Sequence, residues 1–228
     1  MSFRYCLIVV TIFIFNNNIC SQNDVKYYIQ KNWVSSTISD CSDFDLEFID
    51  NEDDWMEVCE YNKPAYCRPY FSVEDEGDLV FFNASAVEQL GYYFDEMKES
   101  IPSKEDWEIL QNKMYSLPNQ PGCHLFSRST RFNCNHSNKG VHKYCSPDMV
   151  NAMDIPCSVG FVYMKNDEIV FEEGKIRFWC ESTTFYTEFN LKNGSMKLKE
   201  NIVNSNLKDD MDLEYAGYPI ILKKRNKK

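Results

Sequence analysis

Apolar residues in the middle of the chain recur at steps of three and four residues, the period of a helix that packs on one side. The residues of the first stripe are Val87, Leu90, Phe94 and Met97. Ser85 and Glu88 have the spacing of a capping box, which predicts that a helix starts there. A second helix is predicted to start at residues 102–103, with Asp106 in its first turn, and to stop before Pro118. Its stripe comprises Trp107, Leu110 and Met114. We predict that the two helices form a pair packed on a sheet.

The segment before these helices alternates apolar and acidic residues, as a strand with one face in solvent does. Two short strands with a solvated acidic face are therefore predicted, one through Phe44, Leu46 and Phe48 and one in the region of Trp55 and Val58. Residues 69–82, PYFSVEDEGDLVFF, predict a hairpin whose turn is EDEGD. Together these elements form an N-terminal β region.

The last third of the chain consists of strand patterns separated by turn residues. The runs are GFVYM, EIVF, KIRFWCESTTFYTEFNL and MKLKENIV. The dipeptide at 193–194, Asn-Gly, is a hairpin signal because both residues tolerate the positive φ that tight turns need. We predict an antiparallel meander of three or four strands that carries Cys157 and Cys180. The chain is thus assigned to the α+β class, with an N-terminal β region, a central helical pair and a C-terminal antiparallel β-meander.

The first residues have the layout of a secretory signal peptide. Arg4 precedes an apolar run over residues 5–15, which is shorter than the roughly 20 residues that span a bilayer. We expect residues 1–21 to be removed by cleavage after Cys20 or Ser21, with an N-terminal membrane anchor as the alternative. No later segment predicts a membrane span, so the mature protein is expected to be secreted and extracellular.

The remainder is expected to form a single disulfide-stabilised domain over residues 22–222, with a sub-boundary near 118–123 as the alternative. Hydrophobic residues make up 43% of the chain and aromatic residues 15%, which is enough for a core and excludes a disordered chain. Residues 223–228 are predicted to be a basic disordered tail.

Cysteines and sequons fit a secreted glycoprotein. Loss of the signal peptide leaves eight cysteines, at Cys41, Cys59, Cys67, Cys123, Cys134, Cys145, Cys157 and Cys180. An even set in a secreted chain predicts up to four disulfide bonds, among about 105 pairings that the sequence does not distinguish. Asn-x-Ser sequons at Asn83, Asn135 and Asn193 predict glycosylation.

All three histidines lie between Cys123 and Cys145, in CHLFSRSTRFNCNHSNKGVHKYC. Cys134, His136, His142 and Cys145 offer a zinc ligand set, but their spacing is not that of a zinc finger and secretion favours oxidised thiols. A nuclease-like hydrolase using His136 and His142 as general acid and base is the catalytic alternative. We favour a disulfide framework, with no metal, no cofactor and no catalytic residue assigned.

The negative net charge of the chain limits the kinds of partner that it is expected to bind. The formal net charge of −11 becomes about −12 when Arg4 is lost with the signal, which argues against nucleic acid and anionic membranes as partners. From Asn32 to Asn62 there is no Lys or Arg. The span 43–54 has acids at several positions of an EF-hand loop but lacks its central Gly and its final Glu, so at most a looser calcium site is considered.

Aromatic residues beside these acids suggest a binding surface for a basic protein, through burial, cation–π contacts and electrostatic steering. The candidate binding residues are Asp53, Asp54, Trp55, Glu57 and Tyr61. The alternative is that the aromatics are core and the acids merely solvated. No serine-hydrolase, phosphate-binding or C-x-x-C motif is present, so an enzyme is not supported.

The sequence therefore favours a secreted, non-enzymatic binding protein, such as an effector, a ligand scavenger or a signalling protein, that engages an extracellular and basic protein partner. The first alternative is the secreted hydrolase described above. The second is a carrier of small apolar ligands, with a sheet cavity lined by Phe161, Tyr163, Phe178, Trp179 and Phe185. The oligomeric state is not predicted.

Overall fold

The computed structural model describes residues 24–25, 27–68, 80–95, 97–115, 161–166, 168–172, 175–190, 195–200 and 211–225. The predicted signal peptide, the sub-boundary near 118–123, the turn EDEGD and all three histidines lie outside these residues. Statements about the fold below concern the described residues alone.

Helices and strands are mixed along the chain. The helices are α1 (residues 27–32, with 24–25 also helical), α2 (Glu52–Glu60), α3 (Ala84–Asp95) and α4 (Lys104–Tyr115). The strands before residue 116 are β1 (Trp33–Thr37), β2 (Glu47–Ile49), β3 (Ala65–Cys67), β4 (Phe81–Phe82) and β5 (Glu99–Ser100). The later strands are β6 (Phe161–Lys165), β7 (Glu168–Glu172), β8 (Lys175–Trp179), β9 (Phe185–Asn190), β10 (Met196–Glu200), β11 (Met211–Gly217) and β12 (Ile221–Lys224).

These strands form small sheets, most of whose pairs are antiparallel. The strand orders are β1-β12-β5, β2-β3-β4, β11-β6-β7 and β10-β9-β8. Among the described pairs, β2 and β3 run parallel. A bridge between Phe82 and Tyr218 joins the N-terminal and C-terminal parts of the chain. The protein is mixed α+β, as the sequence predicts.

Successive strand residues alternate between two hydrophobic cores. In β8, Phe178 belongs to the first core, with residues of α1, α2 and α4, whereas Trp179 belongs to the second, with residues of α3. In β6, Val162 and Phe161 divide in the same way. Because strand side chains point to opposite faces in turn, this division places α3 on the face opposite to the other three helices.

The two predicted helices are confirmed as α3 and α4, but their predicted packing as a pair is wrong. The α4 stripe of Trp107, Leu110 and Met114 is buried, and Ser103 and Asp106 exchange the two hydrogen bonds of a capping box, at 3.3 and 3.1 Å. The N-cap of α3, however, is Asn83 rather than Ser85, and Met97 lies beyond the helix and is exposed. The two helices lie on opposite faces of the strands rather than side by side.

The predicted strand in the region of Trp55 and Val58 is wrong, because these residues belong to α2. Asn51 caps this helix by accepting a hydrogen bond from the Asp54 N–H at 2.9 Å. Three acids in the first turn also favour a helix, since they face the positive end of its dipole. Trp55, Val58 and Cys59 then form a buried stripe at helical spacing.

The predicted meander is confirmed in β8, β9 and β10, which pair antiparallel in sequence order, with Cys180 directly after β8. The run 175–191 divides into two strands at residues 180–184, and β6 pairs with both β7 and β11 in a separate sheet. The predicted basic tail begins too early. Lys223 and Lys224 lie in β12, where they pair with Ser100 and Glu99 of β5, and Lys223 also forms an ion pair with Asp106.

A buried ion pair cross-links β8 and β9. Arg177 Nε and Nη2 both contact Glu188 Oε2, at 2.9 and 2.8 Å, and both side chains are buried. The guanidinium carbon lies 3.6 Å from the centroid of the Phe161 ring and 4.7 Å from that of Tyr186. Burial acts to raise the pKa of Glu188, but the hydrogen bond from Lys199 and the charge of Arg177 outweigh it and hold that pKa below its ordinary value.

We expect Arg177→Met to lower the free energy of unfolding by about 3 kcal/mol, because it removes two contacts to the buried Glu188 and leaves Lys199 as its ionic partner. The double variant Arg177→Met/Glu188→Met should recover most of that loss, since both charges are then removed together. Urea denaturation of the three proteins measures the difference. A single variant as stable as the unchanged protein would contradict this account of the second core.

Candidate functional site

Residues 40–60, which we call the acidic segment, wrap around the edge of the β2-β3-β4 sheet. They comprise a loop, β2, and α2. The segment has ten acidic residues, namely Asp40, Asp43, Asp45, Glu47, Asp50, Glu52, Asp53, Asp54, Glu57 and Glu60. All ten are exposed. The Ser42 N–H donates to Asp40 Oδ1 at 3.0 Å, and this bond lowers the pKa of Asp40.

Aromatic side chains lie at the surface within and beside the acidic segment. Phe48 of β2 is 39% exposed and packs on Tyr66 of β3, with ring centroids 5.3 Å apart. Phe44 packs edge-on against Tyr93 of α3 at 4.9 Å, and Tyr93 is 40% exposed. Gln89 of α3 fixes the loop by donating to the Asp45 carbonyl at 2.7 Å. Acidic and aromatic groups therefore share one surface.

Of the five predicted binding residues, Trp55 does not lie at the surface. Its side chain is fully buried, and its Nε1 donates to the Tyr215 carbonyl at 3.0 Å. A Cβ on Gly217 would lie 2.9 Å from the Trp55 ring, so this close packing requires glycine. Trp55 thus anchors α2 to β11 and cannot contact a partner.

The other four predicted residues remain at the surface, and three of them contact neighbouring side chains. Asp54 accepts a hydrogen bond from the Asn51 side chain at 2.6 Å as part of the α2 cap. Glu57 pairs with Lys63 at 3.3 Å, an exposed contact of the kind that contributes about 0–1 kcal/mol. Tyr61 is 67% exposed, and Lys63 Nζ lies 5.5 Å from the centroid of its ring, whereas Asp53 is simply exposed.

Four of the eight predicted disulfide cysteines lie in the described residues, and all four have free, buried thiols. They are Cys41, Cys59, Cys67 and Cys180. Burial raises the pKa of Cys41, Cys59 and Cys180 to about 12, and raises that of Cys67 well above its ordinary value. At neutral pH these thiols are protonated and unreactive. Cys123, Cys134, Cys145 and Cys157 lie outside the described residues.

Asn83, one of the predicted glycosylation sites, is 1% exposed. Its Oδ1 accepts hydrogen bonds from the backbone N–H groups of Ala65 and Ala86, at 3.1 and 2.9 Å. Its Nδ2 donates to the Lys63 carbonyl at 2.8 Å. A glycan on Nδ2 has no room at this position, so we expect Asn83 to be unmodified in the folded protein. Asn135 and Asn193 lie outside the described residues.

The metal and catalytic alternatives receive no support from the part of the chain that the structure describes. Within it, no group of three or more His, Cys, Asp or Glu side chains is arranged to hold a metal ion, and this includes the acids of residues 43–54. The proposed zinc and hydrolase residues at 134–145 lie outside it. None of the described helices has the length and apolar character needed to cross a membrane.

The predicted cavity for an apolar ligand is filled by packing. Phe178 stacks on Trp107 in the first core, with ring centroids 5.9 Å apart. In the second core Phe161 stacks on Tyr163, and Trp179 contacts Tyr218 with its ring tilted by 40°. Phe185 instead lies in an open groove of about 320 Å³ between α4 and the sheet of β8, β9 and β10. Lysines and glutamates line this groove together, which gives it no net preference for an anion or a cation.

Sequence patterns did not single out Phe48 or Tyr93 as exposed aromatic residues. Phe48 belongs to the predicted apolar face of its strand, and Tyr93 lies outside the predicted stripe of α3 with no motif to mark it. The acids around Phe48 gave a partial signal that β2 is exposed, because burying the whole strand would bury their charges at a high cost in free energy. Comparison with known protein families, curated proteins and solved structures gives no match for this chain. Its function is therefore argued from its own residues.

We expect Asn83→Ala to lower the free energy of unfolding by about 2–4 kcal/mol, because it removes a helix cap and leaves buried backbone groups without partners. Ser85→Ala is the matched control, since it destroys the sequon and keeps the Asn83 side chain. It should change neither stability nor the glycan mass of secreted protein. A loss of glycan mass in the Ser85→Ala variant would show that Asn83 is modified and would contradict this placement.

Proposed function

We propose that this protein is a secreted, non-enzymatic binding protein whose acidic segment engages a basic region of an extracellular protein. The observation that carries the proposal is the exposure of Phe48 and Tyr93 beside a segment of ten carboxylates that contains no Lys or Arg, and of which Glu57 pairs with the neighbouring Lys63. Partly exposed aromatic rings supply hydrophobic contact and cation–π interaction, while the surrounding charge raises the rate of encounter with a basic partner.

The same geometry argues against a purely structural role for these aromatic rings. The large aromatic residues of the cores, such as Trp33, Trp55, Trp107 and Trp179, are almost completely buried. Phe48 and Tyr93 by contrast keep roughly two fifths of their surface in water, beside partly buried Phe44 and Tyr66. Apolar groups exposed together, as in the ring pairs Phe48–Tyr66 and Phe44–Tyr93, favour an interaction surface over scattered single residues.

Secretion, disulfide bonding and glycosylation are parts of this proposal that rest on the sequence. The apolar run after Arg4, the even number of cysteines and the sequons at Asn135 and Asn193 support them. Cys41, Cys59, Cys67 and Cys180 have free thiols in this fold, so the disulfide part of the proposal rests on the even number of cysteines alone.

Binding is tested with a 12-residue peptide of alternating lysine and valine, labelled for fluorescence anisotropy. We expect the variant Asp43→Asn/Asp45→Asn/Glu47→Gln/Asp53→Asn to bind this peptide about tenfold or more weakly, because four attractive charges are lost. For the unchanged protein, raising the salt concentration from about 0.05 to 0.5 M should weaken binding, since salt screens exposed charges.

The matched control is Glu108→Gln/Glu168→Gln/Glu181→Gln/Glu200→Gln, which changes the net charge equally at exposed positions outside the acidic segment. It should bind the peptide nearly as well as the unchanged protein. Equal affinity of the two quadruple variants, or an affinity indifferent to salt, would overturn the proposed role of the acidic segment.

A further inference from the structure

Among the described strands, β2 is the outer one of its sheet and pairs on one side with β3. On its inner side the Glu47 N–H donates to the Pro64 carbonyl at 3.0 Å, as part of the parallel pairing with β3. Alternate residues of a strand bond to the same neighbour, so the N–H and C=O of Phe48 face the opposite edge. No described residue bonds to either of these groups. An unpaired edge of this kind can pair with another strand.

Acidic side chains flank this edge on both faces of the sheet. Ile49 of β2 is buried in the first core, on the side of α2 and its acidic first turn. Phe48 packs on Tyr66 on the side of the second core, where the loop 41–46 also packs. A strand added beside β2 would direct its side chains to the two faces in turn. Basic side chains on either face of the added strand would therefore lie near carboxylates.

We propose that β2 is the docking edge for an extended, lysine- or arginine-rich segment of a partner protein, which adds a strand to the sheet beside Phe48. Main-chain hydrogen bonds give such a complex its affinity, and the flanking acids select a basic segment. A second copy of this chain is not the occupant, because pairing β2 with itself would bring two acidic segments together. This inference rests on the proposed function and specifies its binding mode.

The test uses the same lysine–valine peptide with two substitutions at position 48. Phe48→Pro removes the outward N–H and leaves the β2–β3 bonds, which come from Glu47 and Ile49, in place; proline is tolerated at such edge positions. Phe48→Ala keeps the N–H and removes the ring. We expect the proline variant to bind at least tenfold more weakly than the alanine variant. Equal binding by the two variants would overturn strand addition.

A second measurement does not depend on the folding of a variant. The unchanged protein is titrated with a peptide of the same sequence in which four consecutive central residues carry backbone N-methyl groups, which blocks both edges of the strand at constant charge. At least tenfold weaker binding supports strand addition. If methylation has no effect while neutralising the acidic segment weakens binding, strand addition is wrong and the proposed function stands. If neither change matters, both proposals fail.

Discussion

Phe82 and Asn83 join the N-terminal and C-terminal parts of the chain, and the rest of the fold depends on their contacts. Phe82 exchanges two backbone hydrogen bonds with Tyr218, at 3.0 and 3.2 Å, and its carbonyl also accepts the Trp179 indole N–H at 2.7 Å. Asn83, the next residue, joins β3 to the start of α3 through its side chain. Two neighbouring residues thus hold the N-terminal sheet, the second core and the C-terminal strands together, and all of these polar groups are buried and satisfied.

These contacts of Phe82 and Asn83 also determine where the acidic segment lies. β4 ends at Phe82 and pairs with β3, so β2 can only add to the free side of β3 and becomes the outer strand. α2 is held on one face by Trp55, and the loop before β2 is held on the other by Gln89. The carboxylates are therefore carried on a rigid support, which reduces the entropy that a partner would lose on binding.

Local patterns predicted α3, α4 and the hairpins of the last third, because long periodic stripes and tight turns depend on neighbours in sequence. They did not predict α2, where Trp55 and Val58 were assigned to a strand although Asn51 and three following acids are helix-start signals. The pairing of β12 with β1 and β5 depends on contacts between distant residues, and no local pattern encodes it. For the same reason Lys223 and Lys224 were mistaken for a tail.

The sequence predicted the negative charge of the candidate site, but not which of its aromatic residues are exposed. The absence of Lys and Arg from residues 33–62 was visible in the sequence and marks the acidic surface. Trp55 is buried because it lies on the inner face of α2, a helix that the pattern did not predict. Phe48 was not singled out because strand alternation alone places it on the apolar face. The motif Asn-Ala-Ser at 83–85 is the same for a glycan site and for a buried cap, and only the fold distinguishes them.

The most direct test of this account is a map of amide chemical shifts during titration of the labelled protein with the lysine–valine peptide at low salt. We predict that the largest changes occur at residues 43–48, at Tyr66 and at the start of α2, and that the amide of Phe48 becomes protected from exchange with water. Largest changes around Lys104 and Phe185 in the groove beside α4, with residues 43–48 unaffected, would contradict the account.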